Sequence, residues 1–79
     1  MASAPTMTSR QYTAARIKKA REQHLGLTQR ELAIELAVEQ VSVSRWERNV
    51  AEPKLRYIRA IAELAHLPVN WFFQSEAVA

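Results

Sequence analysis

The 79-residue chain has room for one domain, and its composition excludes several classes of protein. Hydrophobic residues make up 48% and charged residues 24%, as in ordinary globular domains and unlike disordered chains. The absence of cysteine excludes disulfide frameworks and thiolate metal sites. A net charge of +3 is a mild indication of a polyanionic partner.

The sequence gives no indication of a signal peptide or of a membrane span. No apolar run approaches the roughly 20 residues that span a bilayer, and the first residues lack the layout of a signal peptide. We therefore expect a cytoplasmic protein without membrane attachment. Small and polar residues at 1–8 predict a flexible N-terminal segment, followed by one domain over residues 9–73 and a short C-terminal tail at 74–79.

The sequence predicts an all-α fold, a compact bundle of five helices. One glycine and no alternating β-branched runs argue against strands. Ser9 can cap a first helix that reaches about His24, and Gly26 can adopt the positive φ that ends it. The second helix begins with a predicted capping box, in which the Thr28 hydroxyl and the Glu31 carboxylate each accept from the other residue's backbone N–H.

A break at residues 37–39 separates the second helix from a third, and two short helices joined in this way are a helix-turn-helix. Val43 and Trp46 face inward on the third helix. Helical geometry then turns the following side chains outward together: Gln40, Val41, Ser44, Arg45 and Arg48. Such side chains suit base edges, because Gln can pair with adenine, Arg with guanine, and a small apolar group with the thymine methyl.

The last two predicted helices carry most of the remaining apolar residues. Pro53 fits the first turn of the fourth helix, where apolar residues recur with a period near 3.6. They are Leu55, Ile58, Ile61, Ala62 and Ala65. Pro68 opens a fifth helix that holds Trp71-Phe72-Phe73. Three consecutive aromatic side chains cannot all face inward on one helix, so we expect an exposed one, Trp71, to mark a partner surface.

Three parts of the helix-turn-helix carry a resemblance: Leu27-Thr28-Gln29-Arg30-Glu31-Leu32-Ala33, then Val38, then Val43-Ser44-Arg45-Trp46-Glu47-Arg48. Together they resemble the Cro/CI-type helix-turn-helix family, which includes lambdoid phage repressors and many small bacterial regulators. The resemblance spans about residues 16–73. It implies a compact five-helix domain that binds two-fold-related half-sites of double-stranded DNA as a homodimer.

The resemblance also implies roles for individual residues. Base contacts fall to Gln40, Val41, Ser44 and Arg45. Contacts to the DNA backbone fall to Gln29, Arg48, Asn49 and Lys54. A structural ion pair joins Arg21 to Glu47. We place the dimer interface at the C-terminal aromatic cluster, on Trp71 and Phe73.

Two positions depart from the family pattern. Ala37 stands where glycine is usual, which costs about 1 kcal/mol if its φ is positive. Glu39 stands where the recognition helix usually has a Ser or Thr cap. Its carboxylate can accept a hydrogen bond from a cytosine amino group or repel phosphate.

These features favour a sequence-specific transcriptional regulator, most simply a repressor. The alternative is a protein-interaction module of the same fold, an antitoxin or coactivator-like domain with DNA binding secondary. We expect no enzyme activity, metal or cofactor, because His24 and His66 lack metal-ligand spacing and no phosphate-binding glycine loop is present.

Overall fold

The computed structural model of the chain describes residues 9–74, and all regular structure within them is helical. Residues 9–74 contain four α-helices: α1 (Ser9–Lys19), α2 (Gln29–Leu36), α3 (Gln40–Glu47) and α4 (Leu55–Ala65). A π-helical turn, Ala20–Leu25, continues α1, and a 3-10 segment, Val69–Phe73, follows α4. The all-α prediction is confirmed. The predicted segment 1–8 lies outside the described residues, as do residues 75–79 of the predicted tail.

The end of the π-helical turn and the start of α2 follow the local signals in the sequence. Gly26 has a φ of 64° and ends the π-helical turn. At the start of α2, the Glu31 N–H donates to the Thr28 hydroxyl at 3.1 Å, and the Thr28 N–H donates to the Glu31 carboxylate at 2.8 Å. The predicted capping box is therefore present.

The core draws one large side chain from each α-helix and one from the 3-10 segment. Ile17, Leu32, Val43, Ile61 and Phe72, which are fully buried, come from α1, α2, α3, α4 and the 3-10 segment in turn. Burying a side chain of this kind contributes about 1.5–3 kcal/mol relative to leaving it exposed. Helix α3 is thus fixed by the same core that holds the rest of the domain.

The fourth helix begins later than predicted. Lys54 precedes α4 with an extended backbone, at φ −67° and ψ 150°, so α4 begins at Leu55. Pro53 is buried outside the helix rather than in its first turn. The apolar stripe of α4 is formed by Ile58, Ile61 and Ala62.

The predicted fifth α-helix is a short 3-10 segment, and the exposed aromatic side chain is not Trp71. At about three residues per turn, consecutive side chains point about 120° apart. Neighbouring rings therefore cannot share one direction: Phe72 faces the core, whereas Phe73 is 44% exposed. The Trp71 ring lies edge-on to His24 at 5.3 Å between centroids, and the guanidinium of Arg16 stacks over it at 4.6 Å.

No helix in the described part of the chain is long and apolar enough to cross a membrane.

Candidate nucleic-acid interface

Helices α2 and α3 form a helix-turn-helix with a tight turn at residues 37–39. Ala37 has a φ of 56°, and its N–H donates to the Ile34 carbonyl at 3.2 Å. The next N–H, that of Val38, donates to the Ala33 carbonyl at 3.0 Å. These two bonds make a Schellman motif, which satisfies carbonyls at the end of α2 and turns the chain into α3.

One face of α3 is buried and the opposite face is open to solvent. Val43 and Trp46 are 0% and 6% exposed. The predicted base-contacting residues lie on the open side: Gln40, Val41 and Arg45 are exposed, and Ser44 is half-buried. The structure therefore brings the four side chains together on one surface of a helix that is fixed by the core.

Two arginines at the C-terminal end of α3 differ in their surroundings. The Nε of Arg48 donates to the Ser44 hydroxyl at 3.2 Å, which holds Arg48 along the helix. Arg45 is exposed, and among residues 12–74 no side chain bonds to its guanidinium. The Arg45 carbonyl accepts from the Val50 N–H at 2.9 Å and helps to end the helix. The Arg45 side chain is thus available to a ligand.

A buried ion pair ties α3 to the end of the first helical element. Nε and Nη2 of Arg21 donate to the two carboxylate oxygens of Glu47 at 2.6 and 2.8 Å. The two side chains are only 8% and 4% exposed. Nη1 of Arg21 also donates to the Leu27 carbonyl at 2.9 Å. The hydrogen bond to Glu47 raises the pKa of Arg21 above its ordinary value, against the opposing effect of burial.

Gln29 also bonds to this ion pair, a contact that the sequence did not predict. Its side-chain amide donates to the Glu47 carboxylate at 3.1 Å, so Glu47 holds both Arg21 and the first residue of α2. Gln29 and Glu47 lie 18 residues apart, and no local spacing reports such a contact. The position predicted to touch phosphate is therefore linked to α3.

The other predicted backbone-contacting residues lie in and beside the loop between α3 and α4. Arg48 and Lys54 are exposed at its two ends, and Asn49 is half-buried with a φ of 59°. At the other end of α3, Glu39 precedes the helix without a side-chain capping bond. The described residues contain no cluster of His, Cys, Asp or Glu that fits a metal ion.

This arrangement defines a helix-turn-helix domain, a class whose second helix enters the major groove of DNA. A family model described as helix-turn-helix matches residues 17–72 of the chain. The chain therefore belongs to the Cro/CI-type helix-turn-helix family. Comparison with curated proteins and with solved structures found no match. The family membership indicates a DNA-binding regulator, in a family that is generally non-enzymatic.

Proposed function

We propose that the protein is a sequence-specific repressor, which acts in the cytoplasm by occupying a double-stranded DNA operator as a homodimer. The observation that carries this proposal is the two-sided α3. Val43 and Trp46 fix its inner face, while Gln40, Val41 and Arg45 are exposed together on its outer face. A rigid helix with an open polar face is what major-groove recognition requires.

The exposed side chains of α3 supply the direct readout in this proposal. Arg45 donates two hydrogen bonds to guanine, and Gln40 pairs with adenine N6 and N7. Val41 contacts a thymine methyl group, for which an exposed apolar side chain is suited. Ser44 contacts a base edge from the same surface.

Four residues around α3 position the domain on the DNA backbone. They are Gln29, Arg48, Asn49 and Lys54. The Gln29 amide has two N–H groups and gives one to Glu47, which leaves the second for a phosphate oxygen. Phosphate contacts fix the orientation of a protein on the duplex without reading sequence. Glu47 therefore links phosphate contact at α2 to the placement of α3.

The homodimer follows from the small footprint of one recognition helix. A single helix covers too few base pairs to select a genomic site, so two are placed about one duplex turn, ~34 Å, apart. We assign the dimer surface to the C-terminal segment, where Phe73 is 44% exposed next to the stacked Trp71. Binding to adjacent half-sites raises the effective concentration of two weakly associating copies.

Selection of bound sites from random duplex DNA tests this function, and an inverted repeat is the expected result. Two variants separate the proposed roles. Arg45→Ala should weaken specific binding by about 1–3 kcal/mol and relax preference at one base pair of each half-site. Gln29→Ala should weaken specific and random DNA alike. Equal weakening of all sequences by Arg45→Ala would make Arg45 a phosphate contact.

The second candidate function is a protein-interaction module. Glu39 and the 42%-exposed Val41 favour it, because an acidic and an apolar side chain stand at the surface that otherwise meets DNA. Failure of the selection to enrich any sequence at moderate salt would support this candidate against the repressor.

A further inference from the structure

Glu39 has an unusual place for an acidic residue. It is the cap of α3, with φ −76° and ψ 148°, and its carbonyl accepts from the Ser42 N–H at 3.0 Å. A cap residue ordinarily also accepts through its side chain from the first turn of the helix. Glu39 makes no such bond, and its side chain is exposed.

Two other glutamates of the helix-turn-helix, Glu31 and Glu47, are engaged in the structure. Glu31 accepts from Thr28 in the capping box, and Glu47 accepts from Arg21. Within residues 12–74, no hydrogen bond or ion pair engages the Glu39 carboxylate. This carboxylate is thus an acceptor without an internal donor, placed directly before the exposed Gln40 and Val41.

The position of Glu39 directs it toward base edges if α3 binds as proposed. In helix-turn-helix complexes, the N-terminal residues of the recognition helix are the ones that reach the bases. Gln40 and Val41 are the first two residues of α3, and both are exposed. Glu39 directly precedes them at the N-terminal end of α3.

We propose that Glu39 is a specificity-determining residue that selects cytosine in each half-site, an inference that rests on the proposed function. A carboxylate accepts hydrogen bonds and donates none. In the major groove, only cytosine N4 and adenine N6 are donors. Adenine also presents its N7 acceptor beside the amino group, which repels a carboxylate, whereas cytosine presents the amino group alone.

The same charge acts against every other sequence. Without a donor opposite, the carboxylate faces base acceptors and the phosphates of the duplex and is repelled by both. Binding to random DNA is weakened, while the cytosine contact offsets the repulsion at the operator. Specificity is a difference between affinities, and an element that repels wrong partners increases it.

The experiment compares three proteins by site selection and by affinity for a selected and a random duplex. The wild-type protein should enrich cytosine at one fixed position of each half-site. Glu39→Gln keeps the size of the side chain but adds donors, so the preference at that position should fall about 10-fold. Its affinity for random duplex should rise several-fold. Glu35→Gln removes an exposed carboxylate from α2, outside the proposed interface, and should change neither result.

The outcomes separate this inference from the proposed function. If Glu39→Gln selects the wild-type sequence and binds all duplexes more tightly by one factor, Glu39 only repels phosphate and the inference is wrong while the repressor stands. Enrichment of an A·T or T·A pair, which contains no cytosine, at the affected position in the wild-type sites also overturns it. If the wild-type protein enriches no sequence, both proposals fail.

Discussion

Ala37, Asn49 and His66 share a left-handed backbone conformation, with φ of 56°, 59° and 56°. Each follows an α-helix, and in each case the next N–H reaches back to a carbonyl of the last turn, as that of Leu67 does to Ala62 at 2.9 Å. This Schellman arrangement usually has glycine or asparagine at its left-handed position. Ala37 bears the conformation with a Cβ and no polar side chain to compensate.

Ala37→Gly should therefore stabilise the domain. A left-handed conformation costs a non-glycine residue about 1–2 kcal/mol, which glycine avoids. Glycine also raises the chain entropy of the unfolded state, which offsets part of this effect. We therefore expect the free energy of unfolding to rise by about 0.5–1 kcal/mol and the melting temperature to rise by several degrees. Ala60→Gly, in the interior of α4, is the matched control and should destabilise by about 1 kcal/mol. A loss of stability in both variants would contradict the assignment of strain to Ala37.

The Arg21–Glu47 pair should contribute a measurable coupling energy. Both side chains are nearly fully covered, so removal of one leaves a poorly solvated charge on the other. Either single alanine variant should destabilise by about 2–4 kcal/mol, and a double-mutant cycle from denaturant unfolding should give more than the ~0.2–1 kcal/mol of exposed pairs.

The neighbouring Arg21–Glu22 contact provides an internal control for that cycle. Its atoms are 3.8 Å apart, and the Glu22 side chain is 51% exposed. Its coupling should stay within the range of exposed pairs. Equal coupling energies for the two pairs would show that burial and bidentate geometry add nothing at Glu47.

At the scale of the helix, the capping box makes the stability of α2 dependent on pH. The hydrogen bond from the Thr28 backbone lowers the pKa of Glu31, because it favours the charged carboxylate. A lowered pKa in the folded state gives a stabilisation that is complete above the ordinary carboxyl pKa and is lost as the pH falls through the lowered value.

Glu31→Gln tests that dependence, since glutamine keeps an acceptor for the cap and removes the charge. The variant should be less stable than the wild type near neutral pH. The difference should shrink as acid protonates Glu31, as followed by denaturant unfolding across the carboxyl range. Glu52→Gln, an exposed site outside the helices, is the matched control. A pH-independent difference for Glu31→Gln would exclude the charge as its cause.

The elements that could be predicted from sequence are those set by local chemistry. The capping box of α2 and the inward side of α3 depend on residues three or four apart, and the structure has both. Two features depend on packing against the rest of the core: Pro53 lies outside α4, and Val69–Phe73 is a 3-10 segment instead of an α-helix. The bond from Gln29 to Glu47 needs α2 and α3 already packed, so no local pattern contains it.

For the whole molecule, the C-terminal segment joins the core to the proposed dimer surface. Phe72 is fully buried, and Nε of Arg16 donates to the Gln74 carbonyl at 3.2 Å while its guanidinium stacks on Trp71. These contacts hold the segment against α1. Phe73 is the aromatic side chain of this segment with the largest exposed fraction. It can therefore contact a second copy of the protein without leaving the core.

Phe73→Ala should therefore weaken cooperative binding to a two-half-site operator while leaving the fold and single half-site binding intact. Burial of the exposed part of this ring contributes about 1 kcal/mol, or roughly a fivefold loss of cooperativity when it is removed. Trp71→Ala separates packing from association: it removes the stacking with His24 and Arg16 and should lower the free energy of unfolding by about 1–3 kcal/mol. Titration of one operator with wild-type protein should reach two copies per site. One copy per site, or unchanged cooperativity in Phe73→Ala, would place the interface elsewhere or exclude the dimer.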